Sequence, residues 1–431
     1  MGRLFGTDGA RGVANSEISC ELAMNIGKAA AMVLTEGTHK PRVLIGKDTR
    51  ISGDMLESAI ASGLCSVGAD VMTLGVVPTP AVAYLVKRYN YDAAVMISAS
   101  HNPCEYNGIK IFKSDGYKLP DEIEEEIEAI ILDEAAKPPV MLGKDVGRIT
   151  VCENTVHDYI EHLERTVDCD FLGMRIALDC ANGSASVSAE KLFTDLKADC
   201  TVLSASPDGV NINKDCGSTH IEALQKAVVE SNLLAGFAFD GDKIIAICAT
   251  YMKEEKKLKK DTAVVTVMTN MGFNKYCDKA GINYVATKVG DRYVLENMLK
   301  NGYSIGGEQS GHVIFLDYAT TGDGQLTALQ VLRIMKKTGK KLSELASCMT
   351  VYPQTMINVR VSKMGKARFA DDEEVANAIA QAEKQLGDTG RVLVRVSGTE
   401  PLVRVMLEGE NKKQIETLAK EIAEVIKLRL I

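Results

Sequence analysis

The sequence lacks the segments that would place it in or on a membrane. No apolar run in its 431 residues approaches the roughly 20 residues of a membrane-spanning helix. Residues 1–6 contain no apolar signal core, and Gly6 stands where the N-myristoylation pattern requires Ser or Thr. We therefore expect a soluble, cytoplasmic protein that does not insert into membranes.

A surplus of basic charge and a disulfide framework are also missing. The formal net charge is −8, which argues against sequence-independent binding of nucleic acid, although a few local basic groups suffice for an anionic small molecule. The eleven cysteines are odd in number and form no C-x-x-C pair, which indicates reduced thiols. These absences leave an ordinary intracellular globular protein as the expectation.

Short β-branched runs alternate with helical patterns along most of the chain. The pattern restarts near residues 175 and 263, and continuous apolar strands between helices are typical of α/β layers covered on both faces. The last segment differs, since it predicts three strands and two helices of a smaller α+β domain. Because 431 residues exceed the size of a single core, we predict three related α/β domains and this C-terminal domain.

One loop carries the most specific chemical signal. Residues 97–103, ISASHNP, follow the apolar run 93–96, so a buried strand ends in two serines, a histidine and an Asn-Pro turn. Asn102 and Pro103 set the turn, which would hold the hydroxyl of Ser100 in place at the edge of the sheet. A plain polar turn after a buried strand is the alternative interpretation of this loop taken alone.

Other polar, glycine-rich loops are candidates for the same site. Segment 5–12 contributes the guanidinium of Arg11, and segment 107–110 contributes the ammonium of Lys110. Segment 240–242 contributes the carboxylates of Asp240 and Asp242. Segment 306–312 combines the acid Glu308, the hydroxyl of Ser310 and the imidazole of His312. A further loop, RVSGTEP at 395–401, joins hydroxyls and glycine to two arginines when Arg404 is included. Hydroxyls, backbone N–H groups and planar guanidinium forks suit phosphate oxygens.

Together these loops resemble the α-D-phosphohexomutase superfamily, and within it most closely the phosphoglucosamine mutase family. The motifs GTDGARG at 6–12, ISASHNP at 97–103 and GEQSGH at 307–312 carry the resemblance, which extends in order over essentially the whole chain. It implies mixed sheets, four domains around a central cleft, and interconversion of glucosamine 6-phosphate and glucosamine 1-phosphate, a step toward UDP-N-acetylglucosamine and the bacterial wall. Boundaries are expected in the charged stretch 133–146 and near residues 242 and 352. The predicted ranges are 1–145 with the phosphoserine loop, 146–242 with the shortened metal loop, 243–352 with the sugar-binding loop, and 353–431 with the phosphate-binding loop.

The resemblance also assigns roles residue by residue. Ser100 would be the phosphoserine, which gives its phosphoryl group to the substrate, forms a bisphosphorylated sugar and takes back the other phosphate. A serine alone is a poor phosphate carrier and needs charge stabilisation and proton transfer. Lys110 and His312 match the family's positions for proton transfer. Arg11 matches the family's position for holding the transferring phosphate. His101 is expected to orient the loop by hydrogen bonding.

The remaining assignments concern substrate binding. Glu308 and Ser310 would bind the sugar hydroxyls or the amine. Weaker candidates for the same cleft lie in the segment TKVGDR at 287–292, where Lys288, Asp291 and Arg292 are the charged residues. The non-transferring phosphate would be held by Arg395, Ser397, Gly398, Thr399 and Arg404.

One family motif is incomplete in this chain. The family's metal loop reads Asp-Gly-Asp-Gly-Asp-Arg, whereas FAFDGDKIIAIC at 237–248 stops after the second aspartate. Two strands of about 5–6 residues with a turn would account for a loss of roughly 15–20 residues. Mg²⁺ often takes only one or two carboxylates, so the resemblance still implies a weakened site of Ser100, Asp240 and Asp242. The alternative for Asp242 is an N-cap of the following helix.

Two other functions stay open at this point. A phosphoglucomutase or phosphomannomutase would use the same chemistry on another hexose, although Gln309 between the acid and the serine favours glucosamine. A catalytically impaired relative would act as a binding partner instead. The resemblance further implies a bisphosphorylated sugar primer, a homodimer, and a diadenylate cyclase as a possible protein partner.

Overall fold

The structure is a computed structural model that describes residues 3–6, 8–34, 40–237, 241–397 and 401–431. It divides into two compact units. One comprises Met1–Val267 and Asn283–Ala346, and the other Met268–Ile282 and Ser347–Ile431. No helix in these described ranges is both long enough and apolar enough to cross a membrane.

The first sheet of the larger unit is mixed and has the strand order β1-β2-β6-β5-β3-β4-β7. Strand β6 runs antiparallel to β5 and β2, whereas β3 is parallel to both β4 and β5. All five residues of β5 are buried, as the continuous apolar run predicts. The strands are β1 (Phe5–Gly6), β2 (Gly9–Val13), β3 (Arg42–Lys47), β4 (Asp70–Val76), β5 (Ala93–Ile97), β6 (Tyr106–Lys113) and β7 (Ile149–Val151).

Helices cover this sheet, and two of them pack unusually closely. A Cβ atom on Gly63 would lie 2.2 Å from the carbonyl oxygen of Met24, and one on Gly27 would lie 2.7 Å from that of Ile60. Glycine is therefore required at both crossings of α1 and α2. The helices of this layer are α1 (Cys20–Leu34), α2 (Ser52–Ser66), α3 (Thr79–Arg88) and α4 (Asp121–Leu132).

The second sheet is parallel, with the order β10-β8-β9. Its last strand ends at Phe237, and the next helix begins at Gly241, so only residues 238–240 lie between them. The elements are α5 (Thr155–Glu164), β8 (Arg175–Asp179), α6 (Ala189–Asp195), β9 (Asp199–Leu203), α7 (Glu222–Glu230) and β10 (Ala235–Phe237).

The third sheet is again mixed, with the order β12-β11-β13-β14 and an antiparallel pairing of β13 with β14. Its long helix α11 is buried on every side between Gln325 and Met335. The elements are α8 (Gly241–Glu254), β11 (Thr262–Thr266), β12 (Asn283–Thr287), α10 (Asp291–Asn301), β13 (Ile305–Gly307), β14 (Val313–Phe315), α11 (Gly324–Thr338) and α12 (Leu342–Ala346). The predicted α/β class is confirmed.

The smaller unit has an antiparallel sheet of order β15-β17-β16. Ile415, Leu418, Ile422 and Ile426 of its last helix are buried in the core, as their three-four spacing predicts. The elements are α9 (Met271–Ala280), β15 (Gln354–Arg360), α13 (Lys363–Arg368), α14 (Glu373–Leu386), β16 (Gly390–Val396), β17 (Leu402–Gly409) and α15 (Lys412–Leu430). The C-terminal α+β arrangement is confirmed, whereas the domain boundaries at 145, 242 and 352 stay predictions.

Candidate active site

The loop after β5 holds Ser100 in a strained conformation. Ser100 has a φ of +56°, a region that a residue with a side chain rarely adopts. The backbone N–H of Asn102 donates to the carbonyl of Ala99 at 3.2 Å, and that of Ser100 donates to the hydroxyl of Ser98 at 3.2 Å. Such strain persists only where the surroundings fix the backbone, and it concentrates at functional sites.

Two side chains fix this loop from opposite elements. The guanidinium of Arg50 donates to the carbonyl oxygens of Ser100 at 3.1 Å and Asn102 at 2.6 Å. The amide of Asn213 donates to the same two oxygens, at 2.9 and 3.1 Å. Arg50 itself is fully buried and is paired with the carboxylate of Asp48. The Ser100 turn is therefore held by four hydrogen bonds from the two residues.

Sequence reasoning did not identify either of these residues. Asp48 and Arg50 follow directly after β3, and polar residues at the carboxyl end of a parallel strand are a signal for a site. Asn213 offers no such signal, because it lies in a long polar segment after β9. Its position beside the loop is a product of tertiary structure alone.

Next to this loop, charged side chains form a compact cluster. One carboxylate oxygen of Asp8 lies 2.6 Å from the Arg11 guanidinium and 2.8 Å from Nζ of Lys110. Its other oxygen lies 2.7 Å from Nζ of Lys118, which in turn lies 2.7 Å from Asp291. Burial opposes ionisation of Asp8, but Lys110 and Lys118 hold its pKa well below the usual range. The structure thus brings Arg11, Lys110 and Asp291 into one cluster.

Both candidates for proton transfer have lowered pKa values. Lys110 is 5% exposed, and burial lowers the pKa of its ammonium, although Asp8 opposes this shift. Burial also lowers the pKa of His312, against the opposing effect of Asp291. Lys110 is therefore easier to deprotonate than an exposed lysine, as a proton-transfer group near neutral pH requires. The shift of His312 favours its neutral imidazole, the form that can accept a proton.

The loop between β13 and β14 carries Glu308, Ser310 and His312. The backbone N–H of Glu308 donates to the carbonyl of His312 at 3.0 Å, which closes the loop on itself. The Glu308 carboxylate accepts a hydrogen bond of 2.9 Å from the N–H of Gly290, just before α10, and burial raises its pKa. Ser310 is exposed at the tip of the loop.

The candidates at 288 and 292 differ in their surroundings. Lys288 is exposed, and its ammonium lies 6.0 Å from the ring centroid of Tyr293. Arg292 is 6% exposed and is engaged by α4 and the residues before it, with Glu124 at 2.9 Å and the Leu119 carbonyl at 2.9 Å. These contacts join α10 to α4 and the segment before it, and the substrate-binding role of Arg292 stays a prediction.

In the smaller unit, the phosphate-binding candidates lie on one hairpin. Arg395 of β16 is directly opposite Arg404 of β17, and both are half-buried. Burial and the neighbouring Arg404 lower the pKa of Arg395. Ser397 is buried, and its N–H donates to Leu402 at 2.8 Å. Gly398 and Thr399 lie outside the described residues.

The metal candidates are only partly described. Asp240 lies outside the described residues. Asp242 is 5% exposed in the first turn of α8, where the helix dipole stabilises a negative charge. Among residues 3–6, 8–34, 40–237, 241–397 and 401–431, no three His, Cys, Asp or Glu side chains come together as metal ligands. Since Asp240 cannot enter that comparison, the magnesium site of Ser100, Asp240 and Asp242 stays a prediction.

Family models cover most of the chain. Domain I of the phosphoglucomutase/phosphomannomutase family, an α/β/α domain, matches residues 2–138, and α/β/α domain III matches 240–352. The C-terminal domain of the same family matches 356–425. The order of the matches is that of the predicted loops.

Solved structures of low sequence identity share the fold. A phosphoglucomutase/phosphomannomutase family protein from Burkholderia thailandensis superposes with a TM-score of 0.80 at 22% identity, covering 99% of this chain and 97% of its own. The N-acetylphosphoglucosamine mutase of Aspergillus fumigatus, solved with GlcNAc-6P and magnesium, superposes with a TM-score of 0.70 at 16% identity. The match covers 99% of this chain and 96% of the Aspergillus chain.

Curated relatives are similar over the full length. The phosphoglucosamine mutase of Clostridium tetani is 53% identical over 99% of both chains. That of Acetivibrio thermocellus is 53% identical over an alignment of 448 positions that covers 100% of both chains. Because this chain has 431 residues, at least 17 of those positions have no counterpart in it. The chain belongs to the α-D-phosphohexomutases, in the phosphoglucosamine mutase family.

Proposed function

We propose that the chain interconverts glucosamine 6-phosphate and glucosamine 1-phosphate through a phosphoserine at Ser100. The observation that carries this proposal is the strained turn of Ser100, held by Arg50 and Asn213 beside the basic cluster of Arg11, Lys110 and Lys118. A hydroxyl fixed beside several cations suits phosphoryl transfer, in which positioning and charge stabilisation supply most of the rate. The full-length similarity to phosphoglucosamine mutases supports glucosamine phosphate as the substrate.

In the first half-reaction, the C1 hydroxyl oxygen of glucosamine 6-phosphate attacks the phosphorus on Ser100. The bond from O1 to phosphorus forms while the bond from phosphorus to Ser100 Oγ breaks. A base takes the proton of the C1 hydroxyl, and Ser100 Oγ receives a proton from an acid. The product is glucosamine 1,6-bisphosphate with a free serine.

In the second half-reaction, the bisphosphate has turned over so that its C6 phosphate faces Ser100. Ser100 Oγ attacks that phosphorus, the bond from phosphorus to O6 breaks, and O6 takes a proton. Glucosamine 1-phosphate leaves and the phosphoserine is restored, so the bisphosphate also serves as the primer for an unphosphorylated chain. Both half-reactions need one acid and one base that exchange roles.

We assign the proton on Ser100 Oγ to Lys110 and that on the sugar oxygen to His312. Lys110 lies on β6 opposite Met96, the next-to-last residue of β5, close to where the Ser100 loop begins. Lys110 and Arg11 also act electrostatically on His101 of that loop, where burial and Arg11 lower the histidine pKa. His312 lies on another loop, together with the sugar-binding candidates Glu308 and Ser310.

Two further groups of residues would bind the phosphates and the sugar. Arg11 would hold the transferring phosphate, and its guanidinium is oriented by Asp8 at 2.6 Å. The opposed pair Arg395 and Arg404 would hold the other phosphate, because an anion relieves the repulsion between two like charges. Glu308 and Ser310 would recognise the hydroxyls or the amine of the sugar.

Magnesium is the remaining predicted component of the site. The Aspergillus fumigatus relative was solved with magnesium, and the predicted ligands here are Ser100, Asp240 and Asp242. Because Asp240 lies outside the described residues, no reaction step is assigned to the metal. A homodimer and a diadenylate cyclase partner likewise stay predictions.

The proposal is tested by turnover of glucosamine 6-phosphate with a bisphosphate primer, beside Ser100→Ala. We expect formation of glucosamine 1-phosphate, loss of activity in the variant, and a phosphate on Ser100 by mass spectrometry. Faster turnover of glucose 6-phosphate or mannose 6-phosphate would make the chain a phosphoglucomutase or phosphomannomutase. A folded chain that binds the sugar phosphate without turnover would be the catalytically impaired relative.

A further inference from the structure

Lys118 is a nearly buried cation that the reaction above does not use. It lies between β6 and α4, and its side chain is 10% exposed. Its ammonium donates to Asp8 at 2.7 Å and to Asp291, the first residue of α10, at 2.7 Å. Lys118 therefore joins the loop before β2 to the helix that precedes the sugar-binding loop.

The carboxylate of Asp8 is shared among three cations. One of its oxygens contacts Lys110 and Arg11, and the other contacts Lys118. With Asp291 included, two carboxylates serve three cations, so the cluster carries an excess positive charge. Lys110 consequently receives only part of the stabilisation that Asp8 would give to a single partner.

We propose that Lys118 is a positioning residue of the reaction, which bridges Asp8 and Asp291 and prevents Asp8 from serving Lys110 alone. This inference rests on the proposed function, in which Lys110 gives a proton to Ser100 Oγ. A lysine that holds its proton less firmly is a better acid for that step.

Several charged groups surround Lys110, and their effects have known signs. Burial lowers the pKa of Lys110, Asp8 raises it, and Lys118 and Arg11 lower it. His101 and His312 face the same amine, since Lys110 acts electrostatically on both. Replacing Lys118 removes a nearby positive charge and leaves Asp8 to the remaining cations. Both effects favour the protonated form of Lys110, so its pKa must rise.

The test is the pH dependence of kcat/KM for Lys118→Met. The alkaline limb, on which activity falls as Lys110 loses its proton, is expected to move to higher pH by roughly 1–2 pH units. Lys118→Arg keeps the charge and should leave the limb near its wild-type position. The matched control is Lys337→Met, which removes another lysine held by two carboxylates, Asp168 and Glu255, and should not move the limb.

A second measurement makes the test independent of turnover. Lysine labelled with ¹³C at Cε reports protonation of each amine by NMR, and Lys110→Arg identifies the signal of Lys110. If the wild-type protein shows no turnover, the proposed function fails, and this titration alone decides the role of Lys118. A Lys110 titration that rises in Lys118→Met supports the inference.

Lys118→Met leaves Asp291 without its ammonium partner, which is a risk to folding. The double variant Lys118→Met/Asp291→Asn removes both charges of that pair and is expected to show the same upward shift. The inference would be overturned if neither the alkaline limb of the kcat/KM profile nor the Lys110 titration moved and activity fell equally at every pH. Lys118 would then have a purely structural role.

Discussion

The Ser100 loop and the Arg395–Arg404 hairpin are both candidate phosphate positions, yet they are built in opposite ways. The Ser100 turn has a strained backbone, and four hydrogen bonds from Arg50 and Asn213 fix its carbonyls. The hairpin has regular antiparallel register and brings two half-buried arginines directly opposite each other. One region is fixed before any ligand arrives, and the other carries a repulsion that an anion would relieve.

The difference matches the two tasks proposed for these regions. A group that takes part in bond making must be held within a fraction of an ångström, since small displacements cost large factors in rate. A group that binds the non-transferring phosphate needs positive charge and a long side chain more than a rigid backbone. We therefore expect changes in the first region to lower kcat and changes in the second to raise KM.

The largest effect is expected for Arg50→Met. This change leaves the carboxylate of Asp48, which is 3% exposed, without its buried partner. Breaking a buried ion pair costs about 3–5 kcal/mol of unfolding free energy. Urea unfolding of the variant measures the loss. An unchanged midpoint would mean that Arg50 does not secure the loop.

The next effect concerns the other side of the same loop. Asn213→Ala removes two hydrogen bonds to the carbonyls of Ser100 and Asn102. At about 0.5–1.5 kcal/mol for each bond, kcat should fall roughly tenfold to a hundredfold with little change in KM. Asn213→Asp is the sharper control, because a carboxylate facing two carbonyl oxygens should lower kcat further. A rise in KM alone would contradict the assigned role.

Arg395→Gln probes the hairpin. Loss of one charge-assisted hydrogen bond of about 1.5–3 kcal/mol should raise KM for the sugar phosphate roughly tenfold to a hundredfold while kcat is retained. Because the change also removes the repulsion from Arg404, the melting temperature should not fall. Calorimetric titration with glucosamine 6-phosphate measures the first effect, and a thermal scan measures the second. A fall in kcat without weaker binding would remove the contrast between the two regions.

The smallest effect is expected for Glu255→Gln, at the residue that follows α8. Glu255 lies 2.9 Å from Arg333. Burial raises the pKa of the Glu255 carboxyl, but Arg333 and Lys257 outweigh that effect and lower the pKa to about 2. A lowered carboxylate pKa adds stability that is present above the unfolded pKa and lost as the pH falls toward 2. The variant should be less stable by about 1 kcal/mol at neutral pH, equal to wild type in strong acid, and unchanged in kcat.

Much of the fold follows from local patterns, because apolar strands and amphipathic helices carry their own periodicity. The buried strand β5 and the apolar face of α15 are examples that the structure confirms. Contact density divides the chain differently from the predicted ranges, since Met268–Ile282 groups with the C-terminal unit. That grouping depends on contacts such as the Met271 N–H to Glu408, which no local pattern contains.

The candidate site was predictable where its residues belong to compact motifs. Arg11, Lys110, Glu308 and His312 each lie in a short motif whose composition already indicates chemistry, although the structure places Arg11 in β2 and Lys110 in β6. Asn213 and Lys118 were missed because each is a single polar residue in an unremarkable segment. Their importance arises only when partners more than a hundred residues away come within hydrogen-bonding distance.

The short junction between β10 and α8 has a mechanical consequence. Three residues separate Phe237 from Gly241, so their Cα atoms can lie at most about 15 Å apart. The alignment with the relative from Acetivibrio thermocellus includes at least 17 positions that this chain lacks. The end of the parallel second sheet and the start of the helix that leads into the third are therefore held within that distance by the covalent chain. They cannot slide farther apart without breaking β10 or unwinding the first turn of α8.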